Sequence, residues 1–138
     1  MNVEVKNYSS GKTERFIELY LLDGEILQHT TQSNKEESSI DTYLQRFDRK
    51  LQKFSSPKRV AQIKFPSESN RDKRDIQSAY HTFFNSLIVL SENRELLMIY
   101  EPILQTSDND HRVLVEVGYH YSVYDSHLNM LGESTFKE

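Results

Sequence analysis

Asp23-Gly24 stands between two apolar runs, Phe16 to Leu22 and Glu25 to Thr30, and no other feature of the chain limits its folding so sharply. A two-residue type I′ turn needs positive φ at both central positions, which Asp and Gly tolerate, and its twist matches that of the flanking strands. The spacing predicts a β-hairpin in which Leu21 faces Ile26, Tyr20 faces Leu27 and Glu18 faces His29. Asn2 to Tyr8 offers a short preceding strand.

Downstream the apolar spacing changes. Ser38 followed by Asp41 has the form of a capping box, and Ile40, Tyr43, Leu44, Phe47, Leu51 and Phe54 recur at steps compatible with one helical stripe. A first helix is therefore predicted from Ser38 to about Ser55, followed by a short strand from Arg59 to Phe65 that Pro66 closes. Ser69 with Asp72 repeats the capping pattern. Ile76, Ala79, Tyr80, Phe83, Phe84, Leu87 and Ile88 then predict a second, central helix.

Three strands complete the chain: Glu95 to Gln105, Arg112 to Tyr124 and Asn129 to Phe136. In the middle one Val113, Val115, Val117, Tyr119, Tyr121 and Val123 occupy one face and Arg112, Glu116, His120 and Ser122 the other, so the valine and tyrosine face is expected to pack inward. The fold class expected is α+β: an antiparallel sheet made of the N-terminal hairpin and a C-terminal three-strand meander, with two helices packed on one face. Residues 1–138 are expected to form a single domain, since domains cluster at roughly 100–150 residues. In element order alone this resembles the cystatin-like and NTF2-like architectures, a likeness of fold that carries no function.

Hydrophobic residues make up 36% of the chain and charged residues 28%, but fifteen Phe and Tyr can anchor a core, so the chain is expected to fold. The absence of cysteine removes disulfides, thiolate metal sites and cysteine nucleophiles, and no secretory pattern or apolar run of membrane length is present. A soluble, cytoplasmic protein without membrane association is the expectation.

Net charge is −4, yet it is segregated. From Arg46 through Arg74 ten basic residues stand against three acidic ones, a local balance of +7, while the remainder of the chain carries −11. On the first helix Arg46, Arg49, Lys50 and Lys53 would line one flank, with Lys58 and Arg59 just beyond it. A solvated face, or one covered by the acidic remainder of the chain, accounts for such a flank at little cost. The functional alternative is docking of an acidic protein partner, steered by long-range attraction. Nucleic acid would favour the same cations, but the rest of the surface is acidic and no nucleic-acid-binding motif is present.

Catalytic and metal signals are weak. His120 shares a face with Glu116 and Ser122, but residues four apart on a strand are about 13 Å apart, beyond direct hydrogen bonding. Glu18 opposite His29 reads as a cross-strand ion pair strengthening at mildly acidic pH. Asp108-Asn109-Asp110-His111 lacks the Gly and Glu of a calcium loop, and His81 has no histidine at i+4 to make a metal pair. The four glycines lie at no phosphate-loop spacing, and no cofactor is expected. Gly118 interrupts the longest strand, as at a bulge or a close backbone approach. Tyr100, Tyr119, Tyr121 and Tyr124 gather in the meander, in its core or at an interface.

The reading that follows is a binding protein rather than an enzyme, of the inhibitor, immunity or adaptor kind, docking through Arg46, Arg49, Lys50, Lys53, Lys58 and Arg59. A small enzyme or ligand-binding domain with a cleft between helices and meander is the first alternative, and nucleic-acid binding through residues 46–74 the second. An exposed strand edge, with Pro102 as a guard, leaves a homodimer open.

Overall fold

In the computed structural model, residues 2–9, 14–34, 36–65, 88–107 and 114–138 are described. They form ten strands: β1 (Asn2–Ser9), β2 (Glu14–Leu22), β3 (Glu25–Asn34), β4 (Ser39–Asp48), β5 (Lys53–Phe54), β6 (Lys58–Lys64), β7 (Ile88–Leu90), β8 (Leu96–Thr106), β9 (Leu114–Asp125) and β10 (Met130–Lys137). All pairings are antiparallel. One sheet runs β1-β2-β3-β4-β5 with β6 also on β4, and the other runs β10-β9-β8-β7. Among the described residues there is no helix, so the expected α+β class is replaced by an all-β arrangement and the architectural likeness to helix-plus-meander folds lapses.

The β2–β3 hairpin has the predicted register, including Tyr20 against Leu27 and Glu18 against His29. Its turn has φ of 49° at Asp23 and 77° at Gly24, the positive pair that the Asp-Gly dipeptide permits. Along β3, Leu27, His29 and Thr31 are buried while Gln28, Thr30 and Gln32 are half-buried, a period-2 pattern with one face inward.

The predicted first helix is instead β4, a turn and β5. Ile40 and Leu44 are four apart, a separation that fits a strand face as well as a helical stripe, while Phe47 and Phe54 face each other across the turn. Their rings meet edge-to-face, with centroids 5.3 Å apart and planes at 63°. Thr42, Tyr43 and Phe47 favour the extended backbone, and the hydrogen-bonding partners offered by β3 and β6 decide the matter. Asp41 does not cap a helix. It is buried, accepting hydrogen bonds from Ser39 Oγ (2.8 Å), Asn34 Nδ2 (3.0 Å) and Gln62 Nε2 (3.1 Å), and so fastens β4 to β6 and to the end of β3.

The second predicted helix lies outside the described residues except for Ile88, which begins β7. The three C-terminal strands are present as β8, β9 and β10, but the faces of β9 are reversed relative to expectation. Ser122 and Tyr124 are buried, whereas Val115 is 39% exposed. Glycine at 118 has the anticipated cause: a Cβ there would lie 2.3 Å from the Phe136 carbonyl oxygen, so β10 packs closer than any side chain permits. The β8–β9 register also shifts opposite this point, between Ile103 and Leu104.

One buried cluster draws on both sheets: Tyr20, Leu22, Leu27, Leu44 and Ala61 from the first, and Leu97, Ile99 and Tyr124 from the second. Truncating such a fully enclosed leucine as Leu27 to alanine costs about 2–5 kcal/mol. The sheets are also joined where the Gln62 amide donates to Glu101 Oε1 at 2.9 Å.

Candidate functional site: a basic hairpin

Arg46, at the end of β4, turns back toward the second sheet, and its Nη1 donates to His127 Nδ1 at 2.8 Å. Lys58 reaches the same β9–β10 turn, donating to the Leu128 carbonyl at 3.2 Å with its ammonium 5.3 Å from the centre of the Tyr124 ring. Arg49 Nη2 donates to the Gly24 carbonyl at 2.6 Å, bringing the β4–β5 turn against the β2–β3 turn. Arg59 forms an exposed ion pair with Glu37 at 3.9 Å.

These cations therefore do not make one ridge, and the helix flank on which they were placed does not exist. Two backbone carbonyls, the His127 imidazole and one exposed carboxylate occupy four of the six. Lys50, Leu51 and Lys53 remain at the tip, and Leu51 is 64% exposed, more than any other large exposed hydrophobic among the described residues. The tip is held in shape from within. Asp48 accepts the amides of Lys50 at 2.9 Å and Leu51 at 3.1 Å, and these hydrogen bonds, with the Arg46 and Lys50 charges nearby, hold its carboxyl below the usual range. Gln52 takes a positive φ of 56° as the chain reverses, and its side chain donates to the Arg49 carbonyl at 2.7 Å. A depression of about 320 Å³ lined by Glu25, Arg46, Phe47, Asp48, Arg49 and Lys50 lies at its base.

The histidine constellations take different forms from those expected. Glu116 bonds the Tyr100 hydroxyl, while His120 is bracketed by Thr135 Oγ1, 2.6 Å from Nδ1, and by Glu133, 3.2 Å from Nε2. Glu101 is its register partner on β8. Burial raises the Glu101 carboxyl, opposed by the Gln62 amide and by the charges of His120 and Arg59. The sequence reading missed Glu101, Glu133 and Thr135; cross-strand register was the signal, since each lies beside His120 only after β8, β9 and β10 align.

His29 faces Glu18 as expected, but as a neutral ring rather than as the cation of a cross-strand pair. It is buried, its Nε2 2.6 Å from Thr31 Oγ1, and desolvation lowers its pKa to about 3, so it is neutral at mildly acidic pH. Thr31 in turn lies 3.3 Å from Thr42 Oγ1. Burial also pushes the Glu18 carboxyl up.

Three of the four meander tyrosines lie on the outer face. Tyr119 packs against Tyr100 (5.4 Å between centroids), Tyr121 (5.9 Å) and Phe136 (5.6 Å), whereas Tyr124 is in the core. A second depression, of about 240 Å³, lies on the outer face of the first sheet between Gln28, Thr30, Gln32, Tyr43 and Gln45, with Ile17 and Pro57 at its margins.

His81, Arg71, Lys73, Arg74 and the loop Asp108 to His111 lie outside the described residues. Among the described residues, no group of three or more His, Asp or Glu is arranged to hold a metal ion, and no helix is long and apolar enough to cross a membrane. No family model, curated protein or solved structure matches this chain.

Proposed function

We propose that the protein is a non-enzymatic binding protein of the inhibitor, immunity or adaptor kind, docking an acidic protein partner through the β4–β5 hairpin tip. The carrying observation is Leu51, an exposed apolar side chain set between Lys50 and Lys53 on a turn that Asp48 holds rigid. A preformed turn loses little entropy on binding, an apolar anchor supplies desolvation, and flanking cations steer an acidic surface toward it. Arg46 and Arg49 fasten the hairpin to the β9–β10 and β2–β3 turns, and Lys58 and Arg59 on the neighbouring β6 add positive potential.

The test is affinity capture from native cells with wild type, Lys50→Glu/Lys53→Glu and Leu51→Ser, partners being identified by mass. Both variants lose a captured acidic protein while their melting temperatures stay within a degree or two, since surface substitutions away from packing usually shift stability by less than about 0.5 kcal/mol. Unchanged capture removes the hairpin from the binding surface. Capture of nucleic acid in place of protein overturns the choice of partner.

A second reading has one observation in its favour. Thr135, His120 and Glu133 place a hydroxyl, an imidazole and a carboxylate in sequence, the order used to activate a hydroxyl nucleophile. A serine-directed fluorophosphonate that labels Thr135, and fails to label it in His120→Gln, would favour an enzyme.

A further inference from the structure

β10 closes one edge of the second sheet, and every residue from Met130 to Lys137 is exposed. The Glu138 amide donates to the Val117 carbonyl at 2.8 Å, and the β9–β10 register is unbroken from Gly132 to Lys137. In an antiparallel ladder alternate residues bond inward, so Gly132, Ser134 and Phe136 serve β9 while Glu133, Thr135 and Lys137 present their N–H and C=O groups outward. Proteins usually blunt such an edge with proline, a bulge or a covering segment. The stretch from Gly132 to Lys137 has no proline and no register shift, and Pro102 is buried on β8, two strands away.

The edge is complementary to itself. Laid antiparallel against a second copy about an axis through Thr135, β10 sets Glu133 against Lys137 of the other copy, and by symmetry Lys137 against its Glu133. Both are outward-bonding positions, so hydrogen-bond phase and charge agree in the same register. A slip of one residue toward Ser134 as centre places Glu133 against Thr135 and Lys137 against Leu131, losing both charge pairs. On the opposite face Phe136, 52% exposed and packed on Tyr119, would meet Ser134 of the second copy, extending the aromatic row across the junction.

We infer that two copies of this chain pair through β10, antiparallel and centred on Thr135, joining their four-stranded sheets into one of eight strands. Charges that guard an edge against random partners here become a code for an identical one. Glu133 keeps its contact with His120 at 3.2 Å while half of its side chain stays exposed to the partner lysine.

Sedimentation of the 138-residue chain over a concentration series tests this. The wild type shows a monomer–dimer equilibrium. Lys137→Glu, which sets like charges opposite each other twice per dimer, weakens it on the order of tenfold. Glu133→Lys/Lys137→Glu restores it, because the swap recreates both opposite-charge pairs. A wild type that remains monomeric at millimolar concentration overturns the inference and leaves the edge to a strand of different origin. So does a dimer indifferent to Lys137→Glu, or one that the double swap fails to recover.

Discussion

His29 and His120 occupy closely matched positions, each on an inward-facing row of a central strand and each 2.6 Å from a threonine Oγ1. Yet His29 is 1% exposed and sealed beside Thr31 and Thr42, while the side chain of His120 is 29% exposed, with Glu133 beside it and Glu101 across the ladder. The same imidazole with the same hydroxyl neighbour is thus a fixed neutral strut in one sheet and a solvent-facing bridge between strands in the other. Each ring faces a glutamate across the ladder, Glu18 for His29 and Glu101 for His120, so access to water and the contact with Glu133 separate the two roles.

The largest consequence is at His29. With a folded pKa of about 3 against 6.5 for the free side chain, the unfolded chain alone binds a proton between those values. Stability contributed by the neutral ring is therefore complete above pH 6.5 and lost progressively as pH falls toward 3, to an extent on the order of 4 kcal/mol. Denaturant melts at stepped pH should show this slope, and His29→Gln should flatten it. A His29 ring signal titrating near pH 6.5 in the folded protein would break the contrast. The raised carboxyls of Glu18 and Glu101 act in the opposite sense, costing stability as pH rises through their folded values.

Thr31→Val comes next, removing the hydroxyl shared with His29 and Thr42 while keeping the side chain's shape. A loss of about 1–3 kcal/mol in urea melts is expected, the usual consequence of leaving a buried polar group without its hydrogen bond. The smallest effect belongs to Thr135→Val, the equivalent change beside His120, which should cost less than about 1 kcal/mol because water can replace the hydroxyl there. Equal losses at the two sites would mean that the threonines, rather than their surroundings, set the energetics.

Legibility from sequence divided along a similar line. The β2–β3 hairpin was readable because a two-residue Asp-Gly turn leaves one register, and each predicted cross-strand pair is present. β4 and β5 were not readable in that way. Their turn, Arg49 to Gln52, contains neither glycine nor proline, and a strand, a turn and a strand placed apolar residues at intervals that mimic a helical stripe. Ser38 and Asp41 completed the illusion, although Asp41 serves as a clip joining three strands. The basic residues stand out as a group by charge, but their separation into fastened and free members depends on the Gly24 and Leu128 carbonyls, the His127 ring and Glu37, which no local pattern announces. For β9 the strand itself was evident and its orientation was not, since valine and tyrosine tolerate a half-covered outer face while Ser122 accepts burial.

Arg46 and Lys58 reach across 81 and 70 residues of chain to the β9–β10 turn. Contacts of such sequence separation form late, because the intervening loop must close before they give any return. The basic hairpin can thus zip up on its own early in folding yet acquires its final aim only once residues near 127 arrive. A polypeptide halted short of that turn would display the cations without the alignment that makes them a surface.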